Sequence, residues 1–345
     1  MEKRLLKKEL LLLNKSTHGK INWDSFAEKA LSGKRITKRD AMLLLESNDQ
    51  ELLAILHAAY RVRYHYYGNK VKLNMIQNVK SGYCPEDCKY CSQSIQSKAS
   101  IEKYTMMNKD EIVAGAQEAL RRKAGTYCIV ASGRGPTNRE LEEVIAAVSE
   151  IKQNYPLKIC SCLGILSKEQ AQRLQKAGVD RYNHNLNTHR DHHQEIVTTH
   201  TYEDRLQTVE NITKAGISPC SGCIIGMGES KEQIIDIAYE LRQLDVDSIP
   251  INFLINIAGT KLEYLEELNP RYCLKVLSLF RFICPTKEIR VSGGRETNIG
   301  HLQCLSLYPA NALFVGDYLT TKGMTTNSDH QMIQDLGFEI ELTCI

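Results

Sequence analysis

The sequence lacks three features that would each have pointed to a class of function. It has almost no charge excess: 44 Lys and Arg stand against 41 Asp and Glu, a formal charge of +3 over 345 residues. That is too little to grip nucleic acid by releasing counter-ions. It has no long apolar run near its start, where Leu10 to Leu13 are cut off from Leu5 and Leu6 by Lys7, Lys8 and Glu9. A secretory apolar region needs roughly 7–15 residues and a membrane helix about 20, so neither is expected. Finally, no Pro-rich or low-complexity linker interrupts residues 70–320. Hydrophobic residues make up 42% and charged residues 25%, the mix of a globular chain with ample core.

What the chain has in excess is cysteine, twelve in all. A secreted disulfide scaffold would be short and would carry a signal peptide. A cytoplasmic location is therefore expected, with thiolates kept for metals or catalysis.

Residues 1–20 are charged and expected to fray, and Ile21 to Tyr67 reads as helical. Thr37 with Asp40 forms a capping-box pattern, Asn48 or Asp49 can cap the next run, and Gly68 stops it. Beyond Gly68, short β-rich runs recur at roughly 30-residue intervals, each followed by a helical stretch. They begin at Val71, Thr126, Leu157, Asp180, Ser218, Ser248, Glu288 and Ala312. Gly125, Gly178 and Gly216 each close a Lys-Ala-Gly before a strand, as C-cap glycines should. Eight strand–helix units imply an α/β fold, a (β/α)8 TIM-type barrel over 69–320, with a helical extension over 1–68 and a C-terminal segment, 321–345, packed on the barrel. An open doubly wound sheet is the competing architecture.

Directly after the first strand comes SGYCPEDCKYCSQS, with Cys84, Cys88 and Cys91 spaced C-x3-C-x2-C. Structural zinc wants four ligands, usually two C-x2-C pairs, and no second pair lies nearby. Three thiolates suit an iron–sulfur cluster with one iron left open for a small molecule. By spacing alone, zinc or an incidental cysteine-rich loop are the alternatives.

The loop resembles the signature of the radical S-adenosylmethionine (SAM) enzymes. Together with YNHNLNT from Tyr182, CSGCIIGMGE from Cys220, IPINFL from Ile249 and IRVSGGRE from Ile289, it resembles the biotin synthase family within them, from about Asp49 to Tyr318. The resemblance implies a 4Fe–4S cluster on Cys84, Cys88 and Cys91, with SAM on its open iron. It also implies an auxiliary 2Fe–2S cluster on Cys128, Cys160, Cys220 and Arg290. These four residues come from four different predicted strands, which is how a barrel brings distant segments to one interior point. Physics alone would read Arg290 as a counter-charge or a carboxylate anchor, because a protonated guanidinium has only donors. Cys162 lies two residues from Cys160 and shares its face, and the resemblance favours Cys160. Cys223, of opposite parity to Cys220, is expected to pack outward under a helix.

For SAM, the resemblance implies Asn185 at the ribose, Arg205 at the methionine carboxylate, and Gly222 and Gly226 in a strand that lets adenine approach the backbone. Asn187 stands where the family often has Asp, so it can accept from a ribose hydroxyl but brings no charge. Asn183 and Asn252 would hold the ureido ring of dethiobiotin. That substrate's two reacting carbons are unactivated, so radicals are required, and two molecules of SAM are consumed in succession. Sulfur would come from the auxiliary cluster, which must then be rebuilt. The implied partners are an electron donor of flavodoxin or ferredoxin type, iron–sulfur assembly proteins and a second copy of the chain in a homodimer.

Several residues are expected to be structural. Cys273, Cys284 and Cys304 beside helical runs, and Cys344 in the tail, are read as inert. His189, His192, His193 and His200 are read as solvated surface, and His184 as a structural residue facing away from Asn183 and Asn185. Tyr60, Tyr64, Tyr66 and Tyr67 are read as packing. Two rival functions remain: another radical SAM enzyme of hydrogenase-maturation or amino-acid-modifying type, and a non-catalytic iron–sulfur carrier.

Overall fold

The computed structural model describes residues 21–342. The expectations for residues 1–20 and for Cys344 lie outside them. The chain opens with helices α1 (Asp24–Leu31), α2 (Lys38–Leu45) and α3 (Leu52–Tyr67). The capping box of Thr37 and Asp40 forms, Asn48 caps the turn leading into α3, and Gly68 ends α3 at φ +56°.

Strand β1 (Lys70–Lys80) then starts a barrel continued by β2 (Thr126–Ala131), β3 (Lys158–Cys162), β4 (Arg181–Asn183), β5 (Ser218–Cys220), β6 (Cys223–Ile225), β7 (Ser248–Phe253), β8 (Glu288–Val291) and β9 (Ala312–Phe314). Every pairing is parallel, and β9 pairs back onto β1 through Lys72↔Ala312. That closure excludes the open sheet. β5 and β6 are two halves of one predicted strand, broken at Ser221–Gly222, so the barrel has the eight staves expected.

The connecting helices are α4 (Lys109–Arg121), α5 (Asn138–Asn154), α6 (Lys168–Ala177), α7 (Arg190–Ile196), α8 (Tyr202–Lys214), α9 (Lys231–Gln243) and α10 (Pro270–Ile283). Five of them begin in a capping box, at Asn108, Thr137, Ser167, Thr201 and Ser230, each reciprocated by the acidic or amide residue three places on. Residues of one parity on each strand (Tyr127 and Ile129, Ile249 and Ile251) fill the layer between sheet and helices. Cys223 packs in that outer layer, while Cys273 and Cys284 are buried on and beside α10. The chain ends with α11 (Thr326–Asp335) and β10 (Glu339–Ile340), which pairs with the start of β1.

Two local expectations need correction. Gly178 and Gly216 do adopt left-handed φ after their helices, +99° and +82°, but at the end of α4 that conformation falls on Lys123, at +56°. The α4 terminus closes two residues earlier in its Lys-Ala-Gly, with the Ala124 amide bonded to the Ala119 carbonyl, so Gly125 is already entering β2. The strand predicted from Asp180 is paired only over Arg181–Asn183 and then breaks up, with Asn187 at φ +69°. Asn tolerates that conformation better than most side chains.

Candidate active site

One cavity of about 380 Å3 opens at the C-terminal end of the barrel and reaches into its interior. Its upper wall is the cysteine loop that follows β1. Cys84, Cys88 and Cys91 all line it. Gly82 and Tyr83, at φ +70° and +53°, turn the chain into the loop, and the Ser132 hydroxyl holds the Gly82 carbonyl at 2.5 Å.

The acidic pair between the cysteines anchors the loop to the segment joining α7 and α8. Asp87 accepts from the Thr198 amide (2.9 Å) and the Thr199 amide (3.2 Å), and Glu86 from the Thr199 hydroxyl (2.5 Å), Arg134 (3.2 Å) and the His200 ring. Burial pushes the Asp87 carboxyl up, but these hydrogen bonds outweigh it and hold the group down at about 2. Burial pushes the Cys88 and Cys91 thiols up to about 12 and about 11. Backbone amides of Gln93 and Ser94 at Cys91, and of Glu86 and Gly133 at Cys84, act the other way and favour thiolate. A buried set of three thiols with amide donors on the sulfurs is the ligand chemistry of an iron–sulfur site.

The floor is built by the inward parity of the staves. Cys128 on β2 sits directly opposite Cys160 on β3, and Asn183 opposite Cys220. The Cys160 thiol neighbours both the Cys128 and Cys220 thiols. Cys128 and Cys160 pack with Phe314, Ile76, Val130 and Tyr318 inside the barrel, apart from the outer core. Arg290 on β8 is buried beneath them, its guanidinium 5.0 Å from the Phe314 ring centre. Its Nη2 donates to Ser248 Oγ (2.9 Å) and Glu288 Oε1 (2.7 Å), and its Nε is buried without a partner. The three thiols and the arginine, distant in sequence, therefore meet at one point. Cys162 also lines the cavity, so its shared parity with Cys160 brings it to the same side.

The side wall carries the asparagines. Asn183 Nδ2 donates to Asn185 Oδ1 (2.9 Å) and approaches Cys220 Sγ (3.2 Å). Asn185 Oδ1 also takes the Gly222 amide (3.0 Å). Asn187 Nδ2 donates to the Tyr90 hydroxyl (2.6 Å), tying this wall to the cysteine loop. Asn252 is held by the Gly293 amide (3.0 Å) and the Cys223 carbonyl (3.3 Å). Arg205 donates through Nη1 to the Asn185 carbonyl (2.8 Å), and its buried Nε has no partner.

Two expectations, both about histidines, fail here, and two glycines prove tightly packed. A Cβ at Gly222 would stand 1.8 Å from the Pro250 carbonyl oxygen and one at Gly226 would meet Leu268 at 3.1 Å. At both positions packing, against the Pro250 carbonyl and against Leu268, leaves little room for a side chain. Gly222→Ala is expected to destabilise the fold by about 3 kcal/mol, since the clash is with backbone; urea unfolding measures it. His184 lines the cavity with an unpartnered Nε2, because β4 ends before strand alternation can turn it away. His192, His193 and His200 are buried rather than solvated, bonded to the Met227 carbonyl, the His200 carbonyl and Glu86. They sit on and after a short helix pressed beneath the loop, which the polar sequence around them conceals.

Burial lowers the His193 ring to about 4, and the His184 and His200 rings also fall. Below the unfolded value near 6.5 the unfolded chain takes up protons that the folded chain refuses, so stability is full above pH 6.5 and lost as pH falls toward 4. Denaturant unfolding at pH 7.5 and pH 5 should show the loss, and His193→Gln should shrink it.

Sequence reasoning missed Glu288 and Arg181, which form a buried ion pair of 2.9 Å behind Arg290. The signal was present: Glu288 lies two residues before Arg290 and so shares its inward face. Burial works against the charge on Glu288, but Arg181, Arg290 and Lys72 outweigh it and hold its carboxyl far below the usual range.

Among the described residues no helix is long and apolar enough to cross a membrane. Residues 78–241 match the radical SAM superfamily, and residues 250–339 match the Biotin and Thiamin Synthesis associated domain. By fold, the chain is similar to methylornithine synthase (TM-score 0.80, 18% identity, covering 92% of this chain and 98% of that one). It is also similar to the FeFe-hydrogenase maturase HydG from Carboxydothermus hydrogenoformans (TM-score 0.76, 18% identity, covering 98% and 84%). At that identity these two show the fold alone. By sequence it is 61% identical to the biotin synthase of Bacillus pumilus (strain SAFR-032) over 93% of this chain and 97% of the relative. To that of Lysinibacillus sphaericus (strain C3-41) it is 62% identical, over 94% and 98%. To that of Bacillus subtilis (strain 168) it is 59% identical, over 92% and 95%. With this identity along nearly the whole chain, and both matching domains in place on one closed barrel, the chain belongs to the biotin synthase family of radical SAM enzymes.

Proposed function

We propose that this cavity joins sulfur to dethiobiotin between two iron–sulfur sites, with Cys84, Cys88 and Cys91 holding a 4Fe–4S cluster above and Cys128, Cys160, Cys220 and Arg290 holding a 2Fe–2S cluster below. The observation that carries the reading is the convergence of two separate thiol groups on one cavity: Cys84, Cys88 and Cys91 line one part of it, Cys128 and Cys160 another, and Cys220 stands opposite Asn183 of its wall. When bound, the upper cluster with SAM supplies a 5′-deoxyadenosyl radical, and the lower cluster supplies sulfur.

The remaining polar atoms match such ligands. Arg205 has an unused buried Nε–H, a donor suited to the methionine carboxylate. Asn185 has its oxygen occupied and its amide hydrogens free, so it donates to a ribose oxygen. Asn187 is the reverse: its nitrogen is tied to Tyr90, and its oxygen is left to accept from a ribose hydroxyl. Asn183 keeps its oxygen for a ureido N–H, and Asn252 one amide hydrogen for the ureido carbonyl. Ile76, Val130, Phe314 and Tyr318 line the cavity with apolar surface for the hydrocarbon part of the substrate and exclude water from the reacting carbons. A one-electron donor of flavodoxin or ferredoxin type, iron–sulfur assembly proteins and a homodimeric state belong to the same reading.

The test is anaerobic reconstitution with iron and sulfide, then incubation with dethiobiotin, SAM and a reductant. Biotin should appear together with 5′-deoxyadenosine. Formation of 5′-deoxyadenosine with no biotin would reduce the protein to a SAM-cleaving relative.

A further inference from the structure

Behind Arg290 stands a charged group that none of these roles uses. Glu288 is 4% exposed and faces three cations from three strands. Its Oε1 accepts from Arg290 Nη2 (2.7 Å) and Arg181 Nη1 (2.9 Å), and its Oε2 lies 3.5 Å from Lys72 Nζ. Ser248, its register partner on β7, adds a hydroxyl to Oε1 at 2.8 Å. Glu341 also faces Lys72, at 3.8 Å, so two carboxylates answer three positive groups and one positive charge is left over. An uncompensated buried charge is costly unless another anion faces it. The groups beyond Arg290 are the Cys128, Cys160 and Cys220 thiols, which become anionic only as thiolates.

The orientation of the guanidinium follows from the same contacts. Glu288 and Ser248 both take Nη2, so two contacts converge on one nitrogen of the planar guanidinium. Among the described residues no hydrogen bond engages Nε or Nη1, so Glu288 and Ser248 alone hold the guanidinium, while the Cys220, Cys128 and Cys160 sulfurs act on it electrostatically.

We infer that Glu288 is a positioning residue for Arg290: by holding Nη2 together with Ser248, it fixes the guanidinium, and with it the unengaged Nη1, beside the three thiols and so sets how firmly the auxiliary metal group is kept. The inference rests on the assignment of that group proposed above.

The test uses the full chain, reconstituted anaerobically, and reads three quantities separately. These are iron and sulfide per chain, the visible spectrum of each cluster, and the rate at which a chelator removes the auxiliary iron. In Glu288→Gln that rate should rise about tenfold, the scale of losing an outer partner of a metal ligand, and the auxiliary spectrum should shift. The loop cluster and SAM cleavage should be retained. The deciding comparison is a double-mutant cycle: in an Arg290→Met background the Glu288→Gln effect on the auxiliary iron should vanish, because the guanidinium through which Glu288 acts is gone while its pairs with Arg181 and Lys72 remain. A merely structural carboxylate would give the same loss in both backgrounds, and that result, or no change in either, overturns the inference. Ser248→Ala removes the second hold on Nη2 without altering charge and should give a smaller effect in the same direction, keeping the test decisive if Gln at 288 does not fold. A wild-type chain that takes up loop iron but no auxiliary iron overturns the two-cluster reading itself. A wild type that takes up both, with an unaltered Glu288→Gln, overturns only the role of Glu288.

Discussion

Replacing Cys88 with alanine is expected to abolish both products of the reaction, 5′-deoxyadenosine and biotin, with each falling by at least about a hundredfold. Losing an outer partner of a metal ligand typically costs about ten- to a hundredfold, and losing a ligand costs more. Cys88 is the decisive choice among the loop thiols. It is buried, it lies between the loop's two anchoring hydrogen bonds at Asp87 N and Lys89 N, and the Arg205 guanidinium acts on it electrostatically. The fold should survive, because the loop is held by Glu86 and Asp87 rather than by the thiols. Product analysis after anaerobic turnover, with thermal unfolding as the control, checks both halves.

Cys160→Ala should separate the two products. Biotin falls by at least about a hundredfold, while 5′-deoxyadenosine stays within an order of magnitude, because the radical-forming wall is untouched. Cys160 is a cleaner probe than Cys220, whose sulfur also lies beside Asn183, the residue proposed to hold the ureido ring. Its own neighbours are the Cys128 and Cys220 thiols and the Phe314 ring. Removing it subtracts a sulfur ligand from the floor and little else. Cys162→Ala, on the same face of the same strand, should keep its auxiliary iron. That contrast decides between two cysteines which strand parity alone leaves equivalent. Iron and sulfide analysis beside product ratios reads it.

The sequence made the barrel legible because its signals are local. Capping boxes at Asn108, Thr137, Ser167, Thr201 and Ser230 mark where helices start, and alternation in runs such as TYCIVAS marks which side chains face in. The convergence of Cys128, Cys160, Cys220 and Arg290 follows once those staves are closed in order. Parity failed where the strand it assumes does not exist. β4 stops at Asn183, so His184 turns back to the cavity, and β5 breaks before Gly222, whose missing side chain makes room for the Pro250 carbonyl. The buried histidines were hidden for a different reason. His192, His193 and His200 are covered by long-range packing against Met227 and Glu86, which no local pattern encodes. Glu288 was overlooked because a carboxylate amid hydrophobic residues reads as a strand end until its three cationic partners, from β1, β4 and β8, are brought together.

The account turns on the cavity floor being the source of sulfur. Reconstituting the chain with 34S-sulfide, removing free sulfide, and weighing the biotin formed in a single turnover by mass spectrometry tests this directly. The account predicts biotin heavier by one 34S atom in the wild-type protein. Biotin of ordinary mass from a chain whose auxiliary site is fully loaded with labelled sulfide would contradict it.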